Sequence, residues 1–131
     1  MMIDSSAVLA IVFQEPEAEQ MATAIASATS RQMSAVNWLE VLMVAEGRYG
    51  AESADDALLI LQDLEVESVP FDREQMLNTR WAWRRFGKGR HPAALNLWDD
   101  CCAYAAAVIR DQPLLYKGDD FTKTDILPAA W

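Results

Sequence analysis

The stretch from Asn96 to Phe121 does most to narrow what this chain can fold into. Asp99 and Asp100 open a run of small and apolar residues, which predicts a buried helix starting near Asp99. Pro113 to Tyr116 predicts a short buried strand that delivers Lys117, Gly118, Asp119 and Asp120 at its C-terminal end. One Asp pair sits at a helix start and one at a strand end, both against apolar sequence. Carboxylates gathered beside a core repel one another and lose hydration, so something must favour them there. A divalent cation is the simplest candidate.

The preceding sequence supplies the matching elements. Met1 to Ile3 is an apolar start that stops at Asp4, and Ser5-Ser6 followed by Ala7 to Phe13 predicts a strand turning into a helix capped by Ser5 or Ser6. Asp4 itself is equally readable as a helix cap. A second helix is expected with Pro16 in its first turn. Met33 to Ala35 predicts a short strand with Ser34 as a cap, and apolar positions at 36, 39, 43 and 44 mark a helix to Arg48 that carries Glu40. Taken alone, a helical Glu faces solvent more often than not. Gly47 to Glu52 reads as a loop and Ser53 to Asp56 as the next helix start. Val66 to Pro70 alternates as a strand, and Asp72 with Gln75 resembles a capping box for a helix running toward Phe86.

Strands near 1–4, 33–35, 66–70 and 113–116 alternating with helices predict one open α/β domain over residues 1–131, its parallel sheet covered on both faces. Sites in such sheets form at the carboxyl ends of the strands. Asp4 and Asp119 end strands there, Asp100 starts a helix aimed at that edge, and Glu40 joins from the third helix. Four carboxylates make a hard oxygen site suited to Mg²⁺ or Mn²⁺.

Charge and thiols add bounds. The net charge of −9 argues against a general polyanion binder. It leaves room for a nucleic-acid enzyme whose metals supply local positive charge. Arg80, Arg84, Arg85, Lys88 and Arg90 are five of the eleven basic residues, interleaved with Trp81, Trp83 and Phe86. That pattern fits phosphate and base contacts, or a solvated face with core aromatics. Cys101 and Cys102 are adjacent, where a disulfide would be badly strained, so free buried thiols and a cytoplasmic setting are expected. His91 is the only histidine, which excludes a His-rich zinc cage. There is no basic leader region and no window long enough for a membrane span.

Ile3-Asp4-Ser5-Ser6-Ala7, Glu40 in its Asn-Trp-Leu-Glu helix, Arg85 to Pro92, Leu95-Asn96, Asp100-Cys101, Lys117 to Phe121 and Thr124 to Ile126 together resemble the PIN-domain toxins of type II toxin–antitoxin systems, the VapC family. The resemblance runs essentially the full length. It implies a three-layer α/β/α domain with a mostly parallel sheet of four or five strands. It also implies Mg²⁺- or Mn²⁺-dependent endoribonuclease activity, neutralisation by a cognate antitoxin, and frequent homodimers. By position, Asp4, Glu40, Asp100 and Asp119 match its acidic quartet.

The match departs at one place. Counting from Leu95 picks Asp99 as the third acid, whereas counting back from Tyr104, Pro113 and Gly118 picks Asp100. An insertion fits more easily in the loop before a helix, which favours Asp100, with Asp99 then serving as cap. Asp120 is the less favoured alternate for Asp119. Two other readings compete: a degenerate PIN domain that only binds a partner, and phosphoryl transfer to Asp4. The intact acid set disfavours the first, and the absence of a second Asp two residues after Asp4 disfavours the second.

Overall fold

The computed structural model describes residues 1–131. Its sheet has four parallel strands, β1 (Met2–Ile3), β2 (Gln32–Ser34), β3 (Glu67–Val69) and β4 (Leu114–Leu115), in the order β3-β2-β1-β4. Met2 pairs with Gln32 on one side and with Leu114 on the other, so β1 is central. Pro128 bridges Leu114 beyond β4, a rudimentary fifth position rather than a full strand.

Side chains alternate across such strands, and both faces here are covered. Met2 and Leu114 point to one face, against α5 (Arg73–Phe86) and α6 (Asp100–Arg110). Ile3 and Leu115 point to the other, against α1 (Ser5–Val12), α2 (Ala18–Ser27), α3 (Ala35–Tyr49) and α4 (Ala51–Asp63). Two core clusters therefore sandwich the sheet, as the α/β/α expectation requires. In α6 every residue from Asp100 to Ala107 is buried. Its Ala and Cys side chains let that helix lie close on the sheet. No helix is long and apolar enough to cross a membrane.

Several expected boundaries shift. The cap of α1 is Asp4, whose carboxylate accepts the Ser6 amide, and not Ser5 or Ser6. Helix α2 starts at Ala18, leaving Pro16 outside it. The loop expected over 47–52 shrinks to Gly50, which at φ +88 reverses the chain by itself, and α4 begins at Ala51 rather than near Ser53. Ser34 caps α3 as expected. Half of the capping box at Asp72 forms, with the Gln75 amide donating to Asp72. The Gln75 side chain instead donates to the Cys102 carbonyl in α6, joining two helices across a buried gap.

Gly87 ends α5 and starts the segment that leads into α6. Its amide donates to the Trp83 carbonyl, and the Leu95 amide returns to Phe86. A Cβ at Gly87 would lie 2.4 Å from the Trp83 carbonyl oxygen, a backbone atom that cannot swing away. Gly87→Ala should therefore destabilise the fold by about 1–3 kcal/mol, the range for an overpacked site. Urea denaturation checks this; an unchanged midpoint would show that the 87–95 segment moves freely.

Candidate functional site

Three chain segments meet at the carboxyl edge of the sheet. The end of β1 supplies Asp4, α3 supplies Glu40 one turn after the fully buried Asn37, and the start of α6 supplies Asp99 and Asp100. The turn after β4 brings Asp120 toward them.

Asp4 is buried, with one oxygen accepting from both the Ser6 amide and the Ser6 hydroxyl. That hydroxyl oxygen also accepts the Lys117 amide, which locks the end of β4 to the start of α1. The other Asp4 oxygen is buried without a donor. Glu40, half-buried, likewise keeps Oε2 enclosed and unpartnered, so it does not face open solvent. Asp100 accepts the Asn96 amide at 2.8 Å. Asp99 holds the N-cap position of α6 yet makes no side-chain cap bond, and its Oδ1 is a third buried oxygen with no donor. Its carbonyl accepts the Asn37 side-chain amide, tying α6 to α3.

The electrostatics follow from this crowding. Burial pushes the Asp4 carboxyl up to about 6, opposed by the Ser6 hydrogen bonds and reinforced by Asp99 and Asp120. Burial raises Glu40 to about 7, with the Ser5 hydroxyl pulling down and Asp99 and Asp4 pushing up. Asp100 is raised to about 8 by burial, against the Asn96 amide and with Asp99, Asp4 and Asp120 adding to the rise. Asp99 is the neighbour common to all three.

Two register expectations bear on this arrangement. Asp99 was expected to cap α6 while Asp100 alone faced the pocket. Instead the Asp99 carboxylate is turned into the cluster uncapped, and Asp100 lies there too, with one oxygen bonded to the preceding loop. At the β4 turn, it is Asp120 whose charge bears on Asp4 and Asp100, whereas the charge of Asp119 bears on Tyr116. Asp119 is exposed and its carbonyl accepts from Thr122. The structure thus gathers Asp4, Glu40, Asp99 and Asp100, while Asp119 and Asp120 are both exposed on the turn after β4, Asp120 being the one whose charge bears on Asp4 and Asp100. Ser5 and Asn37, which lie in the motifs around Asp4 and Glu40 but were given no site role by the sequence, complete the surroundings. His91 accepts the Ala93 amide and packs edge-on against Phe86, a structural role. Both cysteines are buried and free, their thiols pushed up by burial to about 12 and 11.

Three enclosed carboxylate oxygens without donors, on groups that repel one another, suit a hard divalent cation. No three acidic, His or Cys side chains already close into a coordination shell. Beside the cluster, Glu40 and Asp99 line a largely apolar groove of about 520 Å³ with Leu39, Met43 and Trp98.

Residues 1–127 match the PIN domain family. Ribonuclease VapC of Mycolicibacterium smegmatis is 43% identical over 126 residues, covering 96% of this chain and 97% of that one. Ribonuclease VapC30 of Mycobacterium tuberculosis is 41% identical over 130 residues, 99% of this chain and 98% of its own. Among solved structures, VapC20 of Mycobacterium tuberculosis, a Sarcin-Ricin loop cleaving toxin, superposes with a TM-score of 0.75 at 16% identity, covering 96% and 95% of the two chains. VapBC2 of Rickettsia felis, bound to a DNA fragment from its promoter, gives 0.71 at 14% identity, covering 97% of this chain and 94% of that one.

The raised carboxyls make stability depend on pH in a definite direction. A group whose folded pKa exceeds its unfolded value contributes stability fully present below the unfolded value and lost as pH rises through the folded one. For Asp4, Glu40 and Asp100 that window runs from about 4 to about 8. Keeping Asp4 ionised at pH 8 costs on the order of 3 kcal/mol relative to the open chain. With chelator present, the melting temperature should fall as pH climbs from 5 to 8, and Mn²⁺ should restore it most at pH 8. A flat profile would mean that these carboxylates are hydrated in solution.

Proposed function

This chain belongs to the PIN domain family and stands among its VapC ribonucleases, and from that premise we propose how its carboxylate cluster cuts RNA. It is a metal-dependent endoribonuclease of the toxin–antitoxin type, with a protein antitoxin as partner. The observation that carries the mechanism is the set of donor-less buried oxygens on Asp4, Glu40 and Asp99.

Asp4, Asp99 and Asp100 would hold the cation, Mg²⁺ or Mn²⁺, with Glu40 and Asp120 at the margin. A divalent ion bound there supplies Lewis-acid stabilisation of the phosphate charge and a lowered pKa for bound water. The protein's own part is positional. Ser6 and the Lys117 amide fix the Asp4 carboxylate so that its free oxygen faces the cluster. The Asn96 amide fixes Asp100, and Asn37 fixes the backbone of Asp99. Glu40, on the groove wall beside Asp99, is placed to orient the attacking water.

The apolar groove is the surface we assign to the antitoxin. Leu39, Met43 and Trp98 are 56%, 63% and 68% exposed beside Glu40 and Asp99, so a segment laid there would cover the carboxylates. Homodimerisation through another face is compatible with that assignment, and the proposed setting is the cytoplasm, where buried thiols stay reduced.

Substitutions separate the acids. Asp4→Asn, Asp99→Asn and Asp100→Asn should each lower RNA cleavage by more than about a hundredfold, as removal of a charge-stabilising group does, and weaken Mn²⁺ binding. Asp120→Asn should lower cleavage less, and Asp119→Asn should leave it near wild type. Asp4→Asn should also raise the chelator-treated melting temperature at pH 8. If Asp99→Asn binds Mn²⁺ and cleaves normally, Asp99 is only the start of the helix; if Asp119→Asn is the damaging variant, the turn after Gly118 takes a different register in solution.

A further inference from the structure

We infer that the cleft between Phe13, Arg48 and the Ser6–Lys117 link is a nucleotide subsite, taking the RNA residue next to the phosphate that is cut. The inference rests on the ribonuclease reading above and deepens it. The cleft, of about 450 Å³, is lined by Ser6, Phe13, Glu15, Val44, Arg48 and Lys117. It adjoins the acid cluster on two sides: Ser6 is hydrogen-bonded to Asp4, and Val44 also lines the groove that Glu40 and Asp99 share.

Its chemistry differs from that of the apolar groove. Lys117 is held by Glu15 and Glu17, two carboxylates that more than cancel its charge and leave Arg48 as the cleft's one free cation. Arg48 makes no salt bridge and no hydrogen bond to the carbonyls at the end of α3; its guanidinium lies over the Phe13 ring at 4.7 Å. Phe13 in turn meets Tyr49 edge-on at 5.4 Å, and Tyr49 is 68% exposed. An unpaired Arg stacked on one aromatic ring, with a second ring open beside it, combines a phosphate contact with stacking faces for a base. In a chain of net charge −9, a free cation at the margin of five carboxylates is where an incoming phosphate is stabilised. A peptide docking there would leave the guanidinium unpaired unless it carried an acid, so single-stranded RNA is the occupant that uses all three side chains.

The test is cleavage of a short unstructured oligoribonucleotide with Mn²⁺, together with binding of the same RNA to the inactive Asp4→Asn chain. Arg48→Gln should raise KM and the Kd in the Asp4→Asn background about five- to tenfold, the lower end for one stacked base, with kcat nearly unchanged. The slope of log affinity against log salt should shrink by about 0.7, one phosphate on a single strand. Arg48→Lys should recover the salt slope, and Phe13→Leu, which keeps apolar bulk without the ring face, should raise KM at wild-type melting temperature. Unchanged KM, Kd and salt slope in Arg48→Gln would overturn the subsite. So would a fall in kcat alone, which would place Arg48 behind the geometry of the carboxylates. Loss of neutralisation by a co-expressed antitoxin, with RNA kinetics intact, would give the cleft to the protein partner instead. Failure of the ribonuclease reading has a different signature: the wild-type chain would leave RNA uncut with every divalent metal, while the Kd comparison would still decide the subsite.

Discussion

Like-charge repulsion at the carboxyl edge of the sheet is the constraint to which the surrounding structure answers. At about 4 Å two such charges repel by roughly 1–4 kcal/mol between water-like and surface-like dielectrics. Five carboxylates at one edge would splay apart if left on mobile segments. Three of them are instead pinned from behind. Asp4 is held by Ser6 and through it by the Lys117 amide, Asp100 by the Asn96 amide, and the backbone of Asp99 by Asn37. The oxygens left over are the ones without donors.

Strands of two or three residues could not hold such a site by ladder hydrogen bonds alone. The rigidity comes from the helices on both faces, whose cores meet the sheet through Met2 and Leu114 on one side and Ile3 and Leu115 on the other. The far end of the loop after β4 has its own anchor. Tyr104, buried in α6 one turn after Asp100, donates to Asp125, and Asp125 also pairs with Arg85 of α5 at 2.7 Å. The acidic turn is thus tied at Lys117 and again at Asp125.

Much of this is legible in the sequence because two-sided burial leaves a plain trace: short apolar runs at Met2–Ile3 and Leu114–Leu115, separated by helical periodicity. Asp4 and Glu40 stand out as candidates by their place at a strand end and in an apolar helix, though alone each reads as well as a cap or a solvated acid. What escapes is register. Rules for divergence around a helix apply to Asp100, within the helix, but not to Asp99, whose φ of −101 and ψ of −73 at the N-cap free it to turn inward. Alternation along a strand cannot be carried past Gly118, whose φ of +97 reverses the backbone, so the strand does not set which of Asp119 and Asp120 turns toward the cluster. The single-residue link at Gly50 escapes likewise, since nothing in Gly47 to Glu52 says that one left-handed glycine suffices. A partner for a side chain such as Asn37 is a fact of three dimensions.

Net charge, finally, is a poor guide to what such a chain binds. At 0.1 M salt the Debye length is about 10 Å, so acids on the far face of α4 hardly reach a phosphate at the sheet edge. Local pairing decides instead. Of the basic stretch at the end of α5 and in the turn after it, Arg85 is committed to Asp125 and lies over Trp81 and Phe86, and Arg90 lies over Trp83. Arg84 and Lys88 stay exposed. The densest positive charge in the sequence therefore serves first to brace the loop that carries Asp120, and only its remainder is free for phosphate. An acidic protein can act on a polyanion when the carboxylates that would repel it are the ones that recruit a cation.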